Sequence, residues 1–411
     1  MANYKTLDDF DVKNKFVLVR VDINSEINPE TKNVASDVRI RVHAERTIRE
    51  LSDKGAKVVV LAHQGRRGDP DFTSLEQHAT IISKILNKPV NFVDDVFGEK
   101  AKNAIKDLQS GQILLLDNVR SFSNETKEGT PIQHSSTELV QNLAPLMDLF
   151  VNDAFAAAHR AHVSIVGFTA VLPSAAGRVM ERELVSLSKA VGEAAHPCVY
   201  IVGGAKSDDA LDISKHVLTK GIADYILTGG VTAQLFLTAQ GYDLGKPNMS
   251  LINQKDFAKF IPGIKELLKK YPGKIIVPQD LAITVDGVRK EINISDLPTE
   301  YPIFDIGTKA IEDYSKIVAL AKSIEISGPM GVYEKPEFAI GTSKVFQAVA
   351  DNTNAFSLAG GGHTISSIHK FGLSKKISYV STAGGALVEF LMGKKLPGVA
   401  ALETASTSKL I

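Results

Sequence analysis

The chain has 411 residues, of which 44% are hydrophobic and 23% charged, and its 47 Lys and Arg balance 47 Asp and Glu. This length is too great for one ordinary core, so we expect two domains, and the zero net charge argues against a nucleic-acid-binding protein. The single cysteine, Cys198, excludes an internal disulfide and favours a cytoplasmic location. We expect no signal peptide and no membrane span, because no apolar run is long and uninterrupted enough.

Short apolar runs alternate with helical patterns along the chain, which predicts an α/β fold. In the first half these runs are FVLVRVDIN (16–24), KVVVLAHQGR (57–66), QILLLDNVR (112–120) and DLFVNDAF (148–155). In the second half they are CVYIVGGAK (198–206), DYILTGG (224–230), KIIVPQD (274–280), SIEISGPMG (323–331), AFSLAGGG (355–362) and ISYVSTAGG (377–385).

The pattern predicts two Rossmann-like, doubly wound domains with mostly parallel sheets, joined by a linking helix and a hinge. We place the first domain at 1–177, the linking helix at 178–194 and the second domain at 195–390. Pro397-Gly398 interrupts the following segment, so we expect residues 391–411 to fold back toward the first domain.

Cationic side chains follow the predicted strands of the first half. They are Arg20, Arg39, His63, Arg66, Arg120 and Arg160. Ligands of open α/β sheets bind at the carboxyl ends of the strands, and arginine suits phosphate and carboxylate groups. Asp22 and Asn24 share the strand face of Arg20, so this face is predicted to form the wall of an anion site. The structural alternative is that these arginines are solvated surface charges.

Most of the predicted strands of the second half end in glycine. The turns are Gly203-Gly204-Ala205-Lys206, Gly229-Gly230, Gly328, Gly360-Gly361-Gly362 with His363 and Thr364, and Thr382 with Gly384-Gly385. Backbone N–H groups without a nearby Cβ can approach phosphate oxygens closely, and Lys206 adds a positive charge. The structural alternative is that tight turns at strand ends use glycine anyway, but the repetition favours a nucleotide site.

Neither a GxxxxGK[ST] P-loop nor a GxGxxG dinucleotide fingerprint occurs, which disfavours P-loop kinases and nicotinamide-dependent dehydrogenases. An anion-binding domain opposite a nucleotide-binding domain suggests phosphoryl transfer with hinge closure. Two alternatives stay open: another kinase for a phosphorylated acid, and a non-catalytic phosphometabolite-binding protein on the same fold.

Ten motifs, in order along nearly the whole chain, resemble those of the phosphoglycerate kinase family. They are VRVDIN (19–24), DVRI (37–40), HQGR (63–66), DNVRSF (117–122), NDAFAAAHRAH (152–162), GGAK (203–206), GPMGVYE (328–334), GGGHT (360–364), STAGGA (381–386) and LPGVAAL (396–402). The resemblance implies reversible phosphoryl transfer between 1,3-bisphosphoglycerate and ADP with Mg²⁺, giving 3-phosphoglycerate and ATP, a step of glycolysis and gluconeogenesis.

The resemblance also assigns roles. Phosphoglycerate would contact Asp22, Asn24, His63, Arg66, Arg120 and Arg160, with Arg20 supporting the basic patch. Arg39 and Lys206 would flank the transferred phosphoryl group. That group and the nucleotide phosphates would accept hydrogen bonds from Gly384, Gly385 and Thr382. Glu334 would accept from the ribose hydroxyls, and Gly229 and Gly230 would line the adenine slot. The oligomeric state is expected to be a monomer or homodimer.

Three positions depart from the pattern that the resemblance implies. Ala210 replaces a lysine, His363 replaces an aspartate that serves the nucleotide metal, and Ser327 replaces an asparagine. Because histidine is a poor Mg²⁺ ligand, either Asp209 holds the metal, or water and phosphate oxygens supply most of its ligands. Losing one cation and one anion together is typical of a compensated variant, as in archaeal members of the family.

Overall fold

The computed structural model describes residues 3–407, which form two compact units. The described parts of Met1–Leu184 and Lys395–Ile411 form the first unit, and Val185–Lys394 forms the second. Each unit contains a six-stranded sheet in which every pair of neighbouring strands is parallel. The predicted α/β class with mostly parallel sheets is confirmed.

The first sheet has the strand order β3-β4-β2-β1-β5-β6. Its strands are β1 (Phe16–Arg20), β2 (Lys57–Leu61), β3 (Val90–Val93), β4 (Ile113–Leu116), β5 (Leu149–Asn152) and β6 (Ser174–Ala176). In β1, Val17 and Val19 pack into one hydrophobic core and Leu18 packs into another. Both faces of the sheet are therefore covered, which explains the continuous apolar runs.

Helices cover both faces of this sheet. They are α1 (Val38–His43), α2 (Arg49–Asp53), α3 (Glu76–Leu86), α4 (Glu99–Lys106), α5 (Pro131–Ser135), α6 (Glu138–Leu143), α7 (Val163–Val166) and α8 (Arg178–Leu187). A π-helical segment, Ser188–Gly192, follows α8, and α8 itself crosses the division between the two units.

The second sheet has the order β15-β14-β13-β7-β8-β9. Its strands are β7 (Cys198–Val202), β8 (Tyr225–Thr228), β9 (Ile275–Ile276), β13 (Ser323–Ser327), β14 (Phe356–Gly360) and β15 (Tyr379–Val380). Alternate residues of β13, Ile324 and Ile326, pack into the main core of this unit. Its helices are α9 (Ser207–Thr219), α10 (Gly230–Gln240), α11 (Lys246–Gln254), α12 (Ile261–Lys270), α13 (Thr308–Leu320), α14 (Ile340–Asp351), α15 (Gly362–Lys370) and α16 (Gly385–Leu391).

The second unit also contains a three-stranded antiparallel sheet that the sequence analysis did not predict. Its order is β11-β10-β12, with β10 (Asp280–Val285), β11 (Val288–Asn293) and β12 (Ile303–Ile306). Asp286 and Gly287 join β10 to β11 and both have positive φ, at 51° and 82°. An Asp-Gly pair with two positive φ values is the preferred two-residue hairpin turn.

The last helix, α17 (Pro397–Thr407), belongs to the first unit. Ala401 packs with Ile165 and Val166, and the Gly398 N–H donates to the carbonyl of Ala158 at 2.8 Å. The predicted tail segment extends to residue 411, and its last four residues lie outside the described part of the chain.

Candidate active site

The carboxyl end of β1 carries a buried guanidinium. Arg20 is 2% exposed, and its Nε donates to Ser164 Oγ at 2.8 Å. Ser164 in turn donates to the buried Glu125 carboxylate at 2.6 Å. Burial raises the pKa of Glu125 and lowers that of Arg20, while each charge favours the ionised form of the other. Hydrogen bonds to protein groups therefore fix the position of the Arg20 side chain. This network of Arg20, Ser164 and Glu125 was not predicted from the sequence.

Arg20 also orients a histidine at the end of the neighbouring strand. Its Nη2 lies 3.0 Å from Nδ1 of His63. Because a guanidinium has no acceptor, Arg20 donates and Nδ1 accepts. Burial, followed by the charge of Arg20, holds the pKa of His63 well below its usual range. The ring is therefore neutral with its proton on Nε2, which makes His63 a hydrogen-bond donor.

The strand-end loops that carry His63 and Arg120 are connected through two buried amides. Asn118 Oδ1 accepts from the backbone N–H groups of Gln64 (3.3 Å) and Arg120 (3.1 Å). Gln64 Oε1 accepts from the Ser25 N–H at 2.8 Å, and Gln64 Nε2 donates to the Ser25 carbonyl at 2.9 Å. Because these amides satisfy backbone groups from several loops, the ends of β1, β2 and β4 have fixed relative positions.

Arg39, on α1, reaches the polar residues beyond β1. Its Nη1 donates to Asp22 Oδ2 at 3.2 Å and to the carbonyl of Asn24 at 3.5 Å. The Asp22 side chain is buried, whereas that of Arg39 is 37% exposed. Burial alone would raise the pKa of Asp22, but the positive charges of Arg39 and Arg20 help to lower it instead. Asp22 therefore orients an accessible guanidinium.

Three further predicted arginines lie in the loops of this unit. Arg66 is exposed, Arg160 is half-buried, and Arg120 donates to the carbonyl of Gly65. Burial and the charges of Arg20 and Arg160 lower the pKa of Arg120 to about 10. Asn24, also predicted here, accepts from the Gly65 N–H at 2.8 Å through its Oδ1. Repulsion between these positive charges makes the ionised form of each side chain less favourable. A bound anion would offset that repulsion.

The second unit contains a cavity of about 300 Å³ at the ends of its strands. The predicted residues that line it are Gly203, Gly204, Ala205, Lys206, Asp209, Gly230, Gly328, Glu334, Gly360, Gly361, Gly362, His363 and Thr364. Ala210 and Ser327, two of the departures, line it as well. Residues from widely separated motifs therefore meet at one place.

Close packing of the backbone also requires glycine at several of these positions. A Cβ on Gly203 would lie 2.2 Å from the carbonyl oxygen of Pro329, and one on Gly328 would lie 2.2 Å from that of Gly203. The Gly204 N–H donates to the Pro329 carbonyl at 2.8 Å, and the Gly328 N–H donates to Thr364 Oγ1 at 2.8 Å. The loops after β7 and β13 thus pack backbone against backbone, which requires glycine.

Four predicted site residues are not among those lining the cavity: Gly229, Thr382, Gly384 and Gly385. Gly229 packs against Met330, where a Cβ would lie 2.7 Å from the Cα of that residue. Gly384 precedes α16 with φ 55° and ψ −118°, a conformation that favours glycine. Their assigned roles rest on the resemblance alone.

The acidic residue proposed for the metal lies in the first turn of α9. Asp209 is half-buried, and burial together with Asp208 raises its pKa. No group of three or more His, Cys, Asp or Glu side chains suited to a metal ion occurs within residues 3–407. One carboxylate fits Mg²⁺ that arrives on nucleotide phosphates, because Mg²⁺ commonly keeps water and takes one or two carboxylates.

His363 is an exposed side chain whose Nδ1 lies 3.7 Å from Glu334 Oε1. The same glutamate is the predicted ribose ligand, and both side chains line the cavity. The histidine therefore interacts with a predicted nucleotide residue and stands where the resemblance implies an acidic metal ligand.

The apolar part of the cavity was missed by the sequence analysis. Its lining includes Val231, Gln234, Leu251, Ile303, Phe304 and Val332. These residues come from α10, α11, β12 and the loop after β13. No local motif marks them, so only the tertiary structure brings them together.

Two α/β units, one with an arginine-rich strand edge and one with a glycine-lined cavity, are typical of enzymes that act on phosphorylated small molecules. The sequence pattern of the family described as phosphoglycerate kinase matches residues 7–394. The chain belongs to the phosphoglycerate kinase family.

Similar proteins cover almost the whole chain. A phosphoglycerate kinase of Methanobacterium bryantii is 48% identical over 396 residues, which are 96% of each protein. One from Methanothermus fervidus is 45% identical over 405 residues, or 98% of each. The crystal structure of phosphoglycerate kinase from Pyrococcus horikoshii has a TM-score of 0.87 at 39% identity and covers 98% of this chain and 99% of its own. The structure of the Coxiella burnetii enzyme has a TM-score of 0.85 at 32% identity, covering 98% of this chain and 100% of its own.

No described helix of the chain has both the length and the apolar character that crossing a membrane requires.

Proposed function

We propose that the chain transfers a phosphoryl group reversibly between 1,3-bisphosphoglycerate and ADP, giving 3-phosphoglycerate and ATP. The observation that carries this proposal is the cluster of Arg20, Arg39, Arg120 and Arg160 around Asp22 and His63. Such a cluster suits a small molecule with two separate anionic groups. Family membership selects phosphoglycerate among such molecules and disfavours a non-catalytic binding protein.

The first unit is proposed to bind phosphoglycerate. Arg66, Arg120 and Arg160 supply positive charge, and His63 donates from Nε2. Asp22 and Asn24 offer oxygen atoms to the substrate hydroxyl, while Arg20 holds His63 from below. Because Arg20 is buried and three of its five N–H groups already donate to Ser164, Val21 and His63, we assign it a positioning role.

Transfer of the phosphoryl group requires charge neutralisation more than covalent chemistry. Arg39 and Lys206 are proposed to neutralise the oxygens of the transferred group, and Gly384 and Gly385 to donate N–H groups to it. Asp22 keeps the Arg39 guanidinium oriented before substrate binds, which reduces the entropy lost on reaching the transition state. No covalent enzyme intermediate is needed.

The nucleotide is proposed to occupy the cavity of the second unit. Gly361 and Gly362, at the start of α15, are proposed to offer N–H groups to the phosphates, Glu334 to accept from the ribose, and the apolar lining to receive the base. Mg²⁺ would be held by Asp209 together with the nucleotide phosphates, and it would neutralise phosphate charge during transfer. We further propose a cytoplasmic location, a monomer or homodimer, and no nucleic-acid or membrane partner.

The test is 3-phosphoglycerate-dependent formation of ADP from Mg·ATP, with the acyl-phosphate product removed by a coupling enzyme. Arg39→Ala and Lys206→Ala are each expected to lower kcat by at least about 100-fold, because each removes charge stabilisation of the transition state. Matched controls are Arg41→Ala, which removes an exposed guanidinium paired with Asp37 and Glu45, and Lys215→Ala, which removes an exposed lysine of α9. Both controls are expected to keep parental turnover.

Absence of turnover in the parent, with phosphoglycerate still bound, contradicts the catalytic proposal and favours the binding-protein alternative. Equal losses in the controls and the active-site variants contradict the assigned roles of Arg39 and Lys206.

A further inference from the structure

Glu125 is a buried acidic side chain in the segment between β4 and α5. It is 1% exposed and lies five residues after Arg120. Its Oε1 accepts from Ser164 Oγ at 2.6 Å, and its Oε2 accepts from the Ser164 N–H at 2.9 Å. The Val163 N–H donates to the Glu125 carbonyl at 3.1 Å. Glu125 therefore joins the segment that carries Arg120 to the start of α7, which closely follows Arg160.

Ser164 extends this connection to the buried guanidinium at the end of β1. Its Oγ accepts from Arg20 Nε at 2.8 Å, and its single hydroxyl hydrogen points to Glu125. Burial lowers the pKa of Arg20, and the negative charges of Glu125 and Asp22 act in the opposite direction. A buried charge that loses its counter-charge is costly. The Ser164 hydroxyl and the Glu125 charge therefore both help to hold Arg20 in place.

The chain of hydrogen bonds ends at the neighbouring strand. Arg20 Nη2 donates to His63 Nδ1 at 3.0 Å, which leaves the ring proton on Nε2. We propose that Glu125 is a positioning residue of the phosphoglycerate site. Through Ser164 and Arg20, it holds His63 in the tautomer that donates from Nε2. This inference rests on the phosphoglycerate site proposed above.

The alternative is that Glu125 only attaches its own segment to α7. That role would lower the stability of variants, but it would leave the tautomer of His63 and the phosphoglycerate affinity of the folded protein unchanged. Measurements on folded protein therefore distinguish the two roles.

Two variants remove different parts of the connection. Ser164→Ala deletes the hydroxyl between Arg20 and Glu125, while the Glu125 carboxylate still accepts from the backbone N–H at position 164. Glu125→Gln keeps the size of the side chain and an acceptor for that N–H, and it removes the negative charge. The dissociation constant for 3-phosphoglycerate, measured by calorimetry on the full chain, is expected to rise by at least about tenfold in both variants.

The ¹⁵N chemical shifts of the His63 ring test the hydrogen bond from Arg20 directly. In the parent, Nε2 is expected to be protonated and Nδ1 unprotonated. In Ser164→Ala, Arg20 is no longer held against Nδ1, so the two neutral tautomers are expected to exchange and the two nitrogen shifts to move toward each other. This measurement needs no substrate.

Glu128→Gln is the matched control. Glu128 lies in the same segment as Glu125, and its Oε2 accepts from the Ala161 N–H at 2.7 Å, but its side chain is 62% exposed. The variant removes the same charge and is expected to keep the parental affinity for 3-phosphoglycerate and the parental His63 shifts. Thermal unfolding checks that every variant is folded. If Glu125→Gln does not fold, Ser164→Ala decides, because it keeps the counter-charge of Arg20.

Parental affinity for 3-phosphoglycerate in Ser164→Ala overturns the inference, and so do parental His63 shifts in that variant. An equal loss of affinity in Glu128→Gln overturns it as well. A parent that does not bind 3-phosphoglycerate overturns the phosphoglycerate site and the inference together. A parent that binds it without turnover contradicts the proposed reaction alone.

Discussion

The Nδ1 atom of His43 lies 2.7 Å from Oδ2 of Asp153, and both side chains are buried. Oδ1 of the same aspartate accepts from the backbone N–H groups of Val179 (2.8 Å) and Met180 (3.2 Å) at the start of α8. His43 stands one helical turn after Arg39 on α1. Asp153 therefore connects the helix that carries Arg39 to the end of β5 and to α8.

Asp153→Ala is expected to reduce both stability and turnover. It leaves His43 buried without its carboxylate and removes the acceptor for two N–H groups of α8, which together cost about 2–4 kcal/mol. Because Arg39 loses its fixed position, kcat is expected to fall by about tenfold while KM for phosphoglycerate changes little. Urea unfolding and steady-state kinetics measure the two effects.

Asp153→Asn serves as the conservative control, since its Oδ1 still accepts from α8, whereas an NH2 donor replaces the charged oxygen that faces His43. It is expected to recover most of the stability and part of kcat. An unchanged kcat in Asp153→Ala at full folding contradicts the positioning role.

The neutral state of His63 is open to direct measurement. Its pKa lies well below 6.5 because of burial and the charge of Arg20, so the ring stays neutral from pH 8 down to pH 6. The ¹⁵N chemical shifts of the ring are expected to show protonated Nε2 and unprotonated Nδ1 throughout this range. His63→Asn identifies the signals by their absence. A titration midpoint near pH 6.5 contradicts the arrangement with Arg20.

His78 is expected to contribute to acid unfolding of the first unit. It is fully buried, its Nε2 lies 3.2 Å from Gln64 Oε1, and burial lowers its pKa to about 4. The unfolded chain takes up this proton near pH 6.5, whereas the folded chain does not until about pH 4. Stability present at pH 7 is therefore lost as the pH falls, by about 2 kcal/mol between pH 7 and pH 5.

Urea unfolding of His78→Leu at these two pH values tests this contribution. The variant is expected to lose about 2 kcal/mol less than the parent over the interval, because the titrating group is gone. His369→Leu, which removes an exposed histidine, is the control and is expected to behave as the parent does. Parental pH dependence in His78→Leu contradicts the prediction.

The sequence predicted most of the parallel strands because those strands are covered on both faces. Each of the ten predicted runs contains a strand, although β1 ends at Arg20, before Asp22 and Asn24. Five strands of the structure were missed. β3 is a half-exposed edge strand, and β6 reads Ser-Ala-Ala. β10 to β12 form a separate antiparallel sheet, for which the Asp286-Gly287 turn was the available signal.

The residues of the candidate site likewise include some that could be predicted from the sequence and some that could not. Residues of strand-end loops were predictable, since chemistry at a parallel sheet gathers at the carboxyl ends of its strands. Gln234 and Ile303 carry no comparable signal, because their sequence neighbourhoods are those of an ordinary helix and strand. Their pairing depends on how α10 packs on β12. Sequence reasoning therefore found the groups that bind charge and missed those that surround an apolar base.

Glu325 is a buried carboxyl group without a described function. It lies in β13 between Tyr200 of β7 and Leu358 of β14, is 1% exposed, and neither oxygen has a hydrogen-bond partner among the described residues. Burial raises its pKa well above 4.5. The folded chain therefore keeps the proton that the unfolded chain loses near pH 4.5, so stability falls as the pH rises through this interval.

Glu325→Met replaces the carboxyl with an apolar group of similar volume. It is expected to increase the free energy of unfolding of the second unit by about 1–3 kcal/mol at pH 8, because an unpaired polar group leaves the core. The gain is expected to be smaller at pH 5, where the unfolded chain is itself partly protonated. Urea unfolding at both pH values measures it, with Glu300→Met as an exposed control. A loss of stability at pH 8 would show instead that the Glu325 carboxyl makes a favourable interaction in the folded chain.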